Sequence, residues 1–366
     1  MARAVSQVEA PERAATTGRD ARSWLAGPSR GYLLWGAITA FAVWAAVAHT
    51  DQFVTGVIVG SIYALAAVSL TLIYGITKTT HFAHGDAMMV AAYLAFFALT
   101  GTVVGSREGD TLSPIRLDQL PGASEPIWRF SFGYGLLLAI LAAAALSVPV
   151  LLAIDRWVYQ PLHRRGAGAA FIAVASLGVA ISMRGLMLLI WSSTTRKYTT
   201  GIRDTIDLPG LPRIVVDQFF ILAASILIAG GAYLLLYRTK LGKAMRAMAD
   251  NRDLARASGI VTADVTRWTW IIGGSLIAVA GSLLALQSQL KLELGFILLL
   301  PIFAAAILGG IGSPHGAFLG GLIVGIVSEV TVAIGIISPG YKISVAFVVL
   351  IAVILIRPRG LFGVRA

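Results

Sequence analysis

Long stretches of this chain contain no Asp, Glu, Lys or Arg, among them Phe53–Gly75, Tyr134–Ile154, Phe219–Tyr237, Trp268–Leu290 and Ile343–Ile356. A helix needs about 20 apolar residues to cross a hydrocarbon layer about 30 Å thick. Most of these stretches reach that length, and the shortest needs snorkelling ends or local thinning of the bilayer. Charged residues make up 13% of the 366, against about 25% in soluble domains. The 39 glycines then point to close helix–helix approach rather than disorder. A net charge of +11 would suit nucleic acid, but the cations fall in short loops between apolar runs, the pattern that orients a membrane protein. The absence of cysteine excludes disulfides, thiol catalysis and cysteine-ligated metals.

Hydropathy predicts spans near 32–49, 53–74, 86–105, 133–154, 169–192, 219–237, 267–288, 295–311, 316–337 and 343–356. The breaks at Lys78–His84 and Ile311–His315 are short enough for their flanking pairs to be re-entrant, so the fold expected is an all-α bundle of about 8–10 transmembrane helices with broken or re-entrant helices. The loops Asp155–Gly168 and Arg238–Arg267 and the C-terminal tail are basic, whereas Ser106–Gly133 and Ser193–Asp217 are mixed. The positive-inside rule puts the first group in the cytoplasm together with both termini. Residues 1–30 read as a disordered cytoplasmic tail and 31–366 as one transmembrane domain with a cytoplasmic loop at 238–266. His81–Gly85 and Gly312–Gly316 both interrupt apolar runs, a weak echo of an internal repeat of the kind that builds central transport sites.

Three segments could carry chemistry. In Gly60–Asp86, small residues (Gly60, Ala64, Ala67, Gly75) alternate with hydroxyls (Tyr63, Ser69, Thr71, Tyr74), and the run breaks before a helix starting near Asp86. That helix N-terminus, if placed near mid-membrane, suits a carboxylate; the plainer reading has His81, His84 and Asp86 in a wetted turn, capping the helix. Leu241–Ile260 is polar and helical, with a stripe of Leu241, Ala244, Met245, Met248, Ala255 and Ile260 and a stop at Gly259. It is either an amphipathic element for a partner's groove or a solvated loop helix. Pro301–Gly321 is glycine-rich, with small-xxx-small spacings at Gly316/Gly320 and Gly321/Gly325 that suit tight helix packing. Among ionisable residues within apolar runs, Glu329 has a functional default and Arg184 is a candidate partner for an acid. There is no helical zinc motif, no credible Ser/His/Asp set and no phosphate loop, since Gly242-Lys243 is followed by Ala. An ATPase driving this chain must be a separate polypeptide.

From Val54 to Gly363 the chain resembles the LivH/LivM permeases of branched-chain amino acid ABC importers. The resemblance rests on Gly60-Ser-Ile-Tyr-Ala-Leu, Phe82-Ala-His-Gly-Asp86-Ala-Met-Met, Val158-Tyr-Gln-Pro-Leu162, Leu241-Gly-Lys-Ala-Met-Arg-Ala with Ala257-Ser-Gly-Ile260, Ala304–Ser313 and Arg357-Pro-Arg-Gly-Leu-Phe362. It implies a non-enzymatic subunit of the plasma (bacterial inner) membrane, working by alternating access with a homologous second permease, two cytoplasmic ABC ATPases and an extracytoplasmic solute-binding protein. It implies no cofactor in this chain, ATP being bound by the partner subunits. It also implies that Arg246, Asp250, Arg252, Ala255 and Gly259 form the ATPase-coupling element. Tyr63, Thr71, His81, His84, Gly85, Asp86 and Glu329 are the expected substrate pathway. The family commonly has Asn at His81 and often Glu at Asp86, and urea and short-chain amide permeases share the motifs. A stand-alone ion-coupled transporter using Asp86, His84 and Glu329, or a membrane scaffold or intramembrane enzyme, are the competing classes.

Overall fold

The computed structural model describes residues 28–103, 116–199, 203–207, 213–335, 338–356 and 360–362; most of the 1–30 tail and of the C-terminal tail lies outside them. The chain divides into two units, residues 1–41 and 42–366. Helix α1 (Pro28–Ala48) starts in the first and ends in the second. The second unit continues with α2 (Thr50–Thr77), α3 (His84–Thr100), α4 (Tyr134–Ile154), α5 (Ala169–Trp191) and α6 (Val216–Arg238). Two short polar helices follow, α7 (Lys240–Asp250) and α8 (Arg252–Ala257). The apolar pattern then resumes with α9 (Thr262–Gln287), α10 (Leu294–Gly309), α11 (Pro314–Ala333) and α12 (Lys342–Ile356). Among the described residues, six helices are long and apolar enough to cross a membrane, and four shorter apolar helices accompany them. The only paired strands described, Thr205–Ile206 with Ile214–Val215, form a two-residue antiparallel ladder.

The core is a seam between α2 and α11. A Cβ on Gly56, Gly60, Gly321 or Gly325 would run into the backbone of the facing helix. Only hydrogen at these positions lets the axes approach so closely, which is how membrane helices gain packing without a hydrophobic driving force. α9 lies antiparallel to α2. Ser69 Oγ donates to the Gly273 carbonyl at 2.8 Å, while Ile76, later in α2, shares a cluster with Val265, earlier in α9.

The neighbour pattern repeats itself. α2 packs on α11 as α9 packs on α4, α3 on α4 as α10 on α11, α3 on α5 as α10 on α12, and α3 on α9 as α10 on α2. Helices α2–α5 and α9–α12 are therefore two similar four-helix sets in opposite orientation, with α6, α7 and α8 between them. The matching interruptions are Lys78–Ala83, between α2 and α3, and Ser288–Glu293, between α9 and α10. The sequence echo at Gly312–Gly316 is instead a tight turn from α10 into α11, where Ser313 Oγ accepts from the Gly316 amide at 3.3 Å.

At one end of the bundle α7 and α8 fold back onto α2, α6 and α9. Met245 and Met248 of α7 and Ala255 of α8 pack with Leu72, Ile76, Leu236 and Val265. Thr239 caps α7 by accepting from the Gly242 amide, and Asn251 caps α8 by accepting from the Asp253 and Leu254 amides. α8 ends in a Schellman turn: Gly259 has φ +84 and the Ile260 amide donates to the Ala255 carbonyl at 3.0 Å. At the opposite end, Ser131 donates through its amide and hydroxyl to buried Asp217. Arg203 lies 3.7 Å from the same carboxylate and donates to the Leu286 carbonyl that ends α9.

Candidate functional site

The first interruption brings polar groups into the middle of the bundle. α2 ends at Thr77, and Lys78 takes a left-handed conformation, φ 56, while its amide donates to the Tyr74 carbonyl. The chain then turns back along α2, so that α3 starts beside Ala66, eleven residues before the end of α2. At about 1.5 Å per residue this is about 16 Å up the helix. The second interruption does the same from the other end. Gly281 of α9 packs against Met88, yet α9 runs on to Gln287 before the chain returns to start α10. The N-terminal turns of α3 and α10 meet at Gly85 and Gly295, where a Cβ on either residue would collide with the other's backbone.

Helix N-termini expose unbonded amides and carry partial positive charge. Two of them facing each other create a field that favours an anion. Asp86, in the first turn of α3, supplies one. Its side chain is 1% exposed, and Oδ1 accepts from Arg184 Nε at 3.1 Å and from an Arg184 terminal nitrogen at 2.8 Å. Oδ2 has no hydrogen-bond partner among the described residues. Arg184 reaches in from the middle of α5, and its guanidinium lies 4.5 Å from the centroid of the Phe296 ring on α10. A carboxylate from one half and an aromatic face from the other thus share one cation.

Below this pair the histidines are packed without water-facing surface. His84 Nε2 donates to the Ala66 carbonyl at 3.1 Å. Its Nδ1 must then accept, leaving His81 to donate from Nδ1 across 3.4 Å. His81 also packs nearly at right angles to Tyr159 and Trp270, two parallel rings 5.8 Å apart. Ser176 Oγ accepts from both the Ala83 amide and the Tyr159 hydroxyl, each at 3.0 Å, tying α5 to the interruption. The reading of these histidines as a wetted capping turn is overturned: His81, His84 and Asp86 are buried, α3 starts at His84, and its N-cap, Ala83, offers no side-chain bond.

The remaining expected pathway residues lie elsewhere. Thr71 lines a small hollow of about 60 Å³ with Gly75, Tyr237 and Arg246. Tyr63 lies within electrostatic reach of Glu329. Glu329 accepts from Lys342 Nζ at 2.6 Å. The expected depth of Glu329 is corrected: α11 stops at Ala333 rather than near 337, so Glu329 sits one turn from a helix end. The structure therefore gathers His81, His84, Gly85 and Asp86, and leaves Tyr63, Thr71 and Glu329 apart from them. Phe296, Tyr159, Trp270 and Ser176 join the site without having been singled out. The one signal for any of them was the Val158–Leu162 motif around Tyr159.

Comparison with known proteins places this architecture. A family described as branched-chain amino acid transport system / permease component matches residues 52–354. The chain belongs to that family. The permease is 32% identical over 324 residues to the high-affinity branched-chain amino acid transport system permease protein BraD of Pseudomonas aeruginosa, covering 86% of this chain and 96% of that one. It is 30% identical over 328 residues to LivH of Salmonella typhimurium, covering 86% and 95%. A probable LivH of Methanocaldococcus jannaschii is 29% identical over 321 residues, covering 84% and 90%. These relatives are transport permeases, and the permease is accordingly a multi-pass membrane transport component rather than an enzyme.

The polar helices of the permease sort into an inner and an outer side. The stripe Leu241, Ala244, Met245, Met248, Ala255 and Ile260 is turned onto the permease's own bundle, so it is not a free face for a partner. Arg246 is also turned inward: it donates to the Leu236 carbonyl at 2.7 Å, with its guanidinium 4.7 Å from the Tyr237 ring centroid. Asp250, Arg252, Asp253, Arg256 and Gly259 face outward. Leu254, an apolar residue off the stripe, is 65% exposed at the tip of α8. Lys78 Nζ donates to the Ala249 carbonyl at 3.3 Å, joining α7 to the first interruption.

Proposed function

We propose that this chain is the permease subunit of an ABC importer that moves branched-chain amino acids across the plasma membrane by alternating access, with both of its termini in the cytoplasm. The meeting of the α3 and α10 N-termini at Gly85 and Gly295, beside buried Asp86 and its half-buried partner Arg184, carries the reading. A zwitterion fits chemically between such partners. Its carboxylate replaces Asp86 on the Arg184 fork and takes the field of the two helix ends. Its ammonium goes to Asp86, whose Oδ2 is free to accept. Phe296 and the surrounding apolar residues accommodate an aliphatic side chain. An ion pair that takes one charge wholly out of solvent and so gains little net stability in the resting state is a suitable element to be opened by a substrate carrying both charges. Because Gly85 and Gly295 touch, passage requires the two helix starts to part.

The motive force comes from two separate ATPase chains that bind the ATP, and the solute is delivered by an extracytoplasmic binding protein. A second, homologous permease completes the pathway. Exposed Leu254 with Arg252, Asp253 and Arg256 is the surface gripped by the ATPase. Its movement reaches the first interruption through the buried methionines of α7 and through Lys78. The test is ATP-driven leucine uptake in proteoliposomes containing the assembled transporter. Arg184→Gln is expected to reduce uptake by more than tenfold with ATPase assembly intact, and Leu254→Asp to lower co-purification of the ATPases. Uptake at the unmodified rate in Arg184→Gln overturns the substrate site. Uptake by this subunit without ATP overturns the importer reading.

A further inference from the structure

On the side of α2 away from His84, α6 and α11 both lean on α2 but scarcely touch each other. Val68 faces this side; it follows Ala66, the residue that meets His84, by two positions and so points about 200° around the helix. The result is a cleft of about 300 Å³ lined by Val68, Ile226, Gly230, Tyr233, Phe318 and Leu319. It opens sideways, because Ile226 and Tyr233 of α6 and Leu319 of α11, which line it, are exposed. Gly230 has nothing within 4 Å of where a Cβ would stand, so the cleft is real space and not a packing seam.

The helix that supplies Ile226, Gly230 and Tyr233 to the cleft ends at Arg238 and leads into a cationic segment. Tyr233 in the cleft wall packs with its ring centroid 4.5 Å from that of Tyr237, whose hydroxyl shares a 3.2 Å hydrogen bond with His315 Nδ1. Arg246 covers the other face of this small cluster, 4.7 Å from the Tyr237 centroid. The nine residues Arg238–Arg246 hold Arg238, Lys240, Lys243 and Arg246 and no acid; the first three are exposed. An apolar slot open to the acyl layer, ending in hydrogen-bond donors and a run of cations at the membrane surface, has the two halves of an anionic phospholipid site.

We infer that the α2–α6–α11 cleft holds one acyl chain of an anionic phospholipid whose phosphate is held by Arg238, Lys240 and Lys243 beside His315. Chain and headgroup contribute separately, so two kinds of variant separate them. Gly230→Phe fills the cleft from a position with open space. The triple change Arg238→Gln, Lys240→Gln, Lys243→Gln removes charge from exposed side chains and leaves the fold alone.

The test is native mass spectrometry of the intact transporter released from detergent, after incubation with dioleoylphosphatidylglycerol or dioleoylphosphatidylcholine. The unmodified protein is expected to retain the anionic lipid about tenfold more than the zwitterionic one. The triple variant should lose that preference, and Gly230→Phe should lose retention of both lipids. Equal retention of the two lipids by the unmodified protein overturns the proposal. So does undiminished phosphatidylglycerol on Gly230→Phe. If Gly230→Phe does not assemble, the triple variant alone decides: an unaltered preference overturns the headgroup site. Cross-linking of Gly230→Cys to a second permease subunit, with no lipid retained, assigns the cleft to that subunit instead.

Discussion

The two interruptions, Lys78–Ala83 and Ser288–Glu293, occupy matching places in the two helix sets, yet they are chemically unlike. The first is buried and polar: His81, His84, Ser176 and Asp86 form a chain of contacts with Tyr159, Trp270 and Arg184. The second is held by backbone, through the antiparallel bridge of Leu290 to Arg196, and its charged residues Lys291 and Glu293 face outward. Its contribution at the junction is Gly295 and the ring of Phe296. Backbone geometry alone thus brings two positive helix ends together, and one half supplies the charges beside them, Asp86 and Arg184. A similar pair of folds does not require a similar pair of chemistries.

The largest expected effect breaks what the two interruptions share. Gly85→Leu forces side-chain atoms into the Gly295 backbone, and neither helix start can yield without displacing its own set. The expected outcome is loss of the monodisperse folded peak on size exclusion, a destabilisation beyond about 4 kcal/mol. A folded, transporting Gly85→Leu protein would show that the helix ends do not touch.

Next comes the asymmetry itself. Arg184→Gln strands the Asp86 carboxylate, a cost of about 3–5 kcal/mol for a buried charge without its partner. Adding Asp86→Asn should restore most of the thermal stability while transport stays lost, a coupling that a double-mutant cycle measures. Additive effects would mean the two residues act independently. His84→Leu removes the donor to the Ala66 carbonyl and should cost about 1–3 kcal/mol, read as a lowered melting temperature in detergent. At the small end, Glu293→Gln on the second interruption should shift stability by no more than about 0.5 kcal/mol. A loss as large as that of Arg184→Gln would erase the distinction between the two interruptions.

Much of the bundle was legible in the sequence. The expected spans 133–154, 169–192 and 219–237 end within a few residues of α4 (Tyr134–Ile154), α5 (Ala169–Trp191) and α6 (Val216–Arg238), because charged residues bound apolar runs wherever lipid ends. The small residues of α2 and α11 and the stop at Gly259 could likewise be read directly. The second interruption could not. Lys291 and Glu293 look like ordinary residues at a span boundary, and the glycine-rich turn at Gly310–Ser313 drew attention to the wrong place. Asp86 and Arg184 are 98 residues apart, and no periodicity links them. The stripe of Leu241–Ile260 was visible as amphipathic, but a stripe does not say what covers it, and here the permease's own α2, α6 and α9 do.

The sequence by itself determined that the chain crosses a membrane, roughly where each helix begins and ends, and which transporter family it belongs to, because hydropathy and local turn chemistry act over a few residues. Only the tertiary structure decided which interruption opposes which, which acid holds Arg184, and which face of α8 is exposed. Those outcomes depend on how helices distant in the chain stack, and that is settled by packing across glycine seams rather than by any local preference.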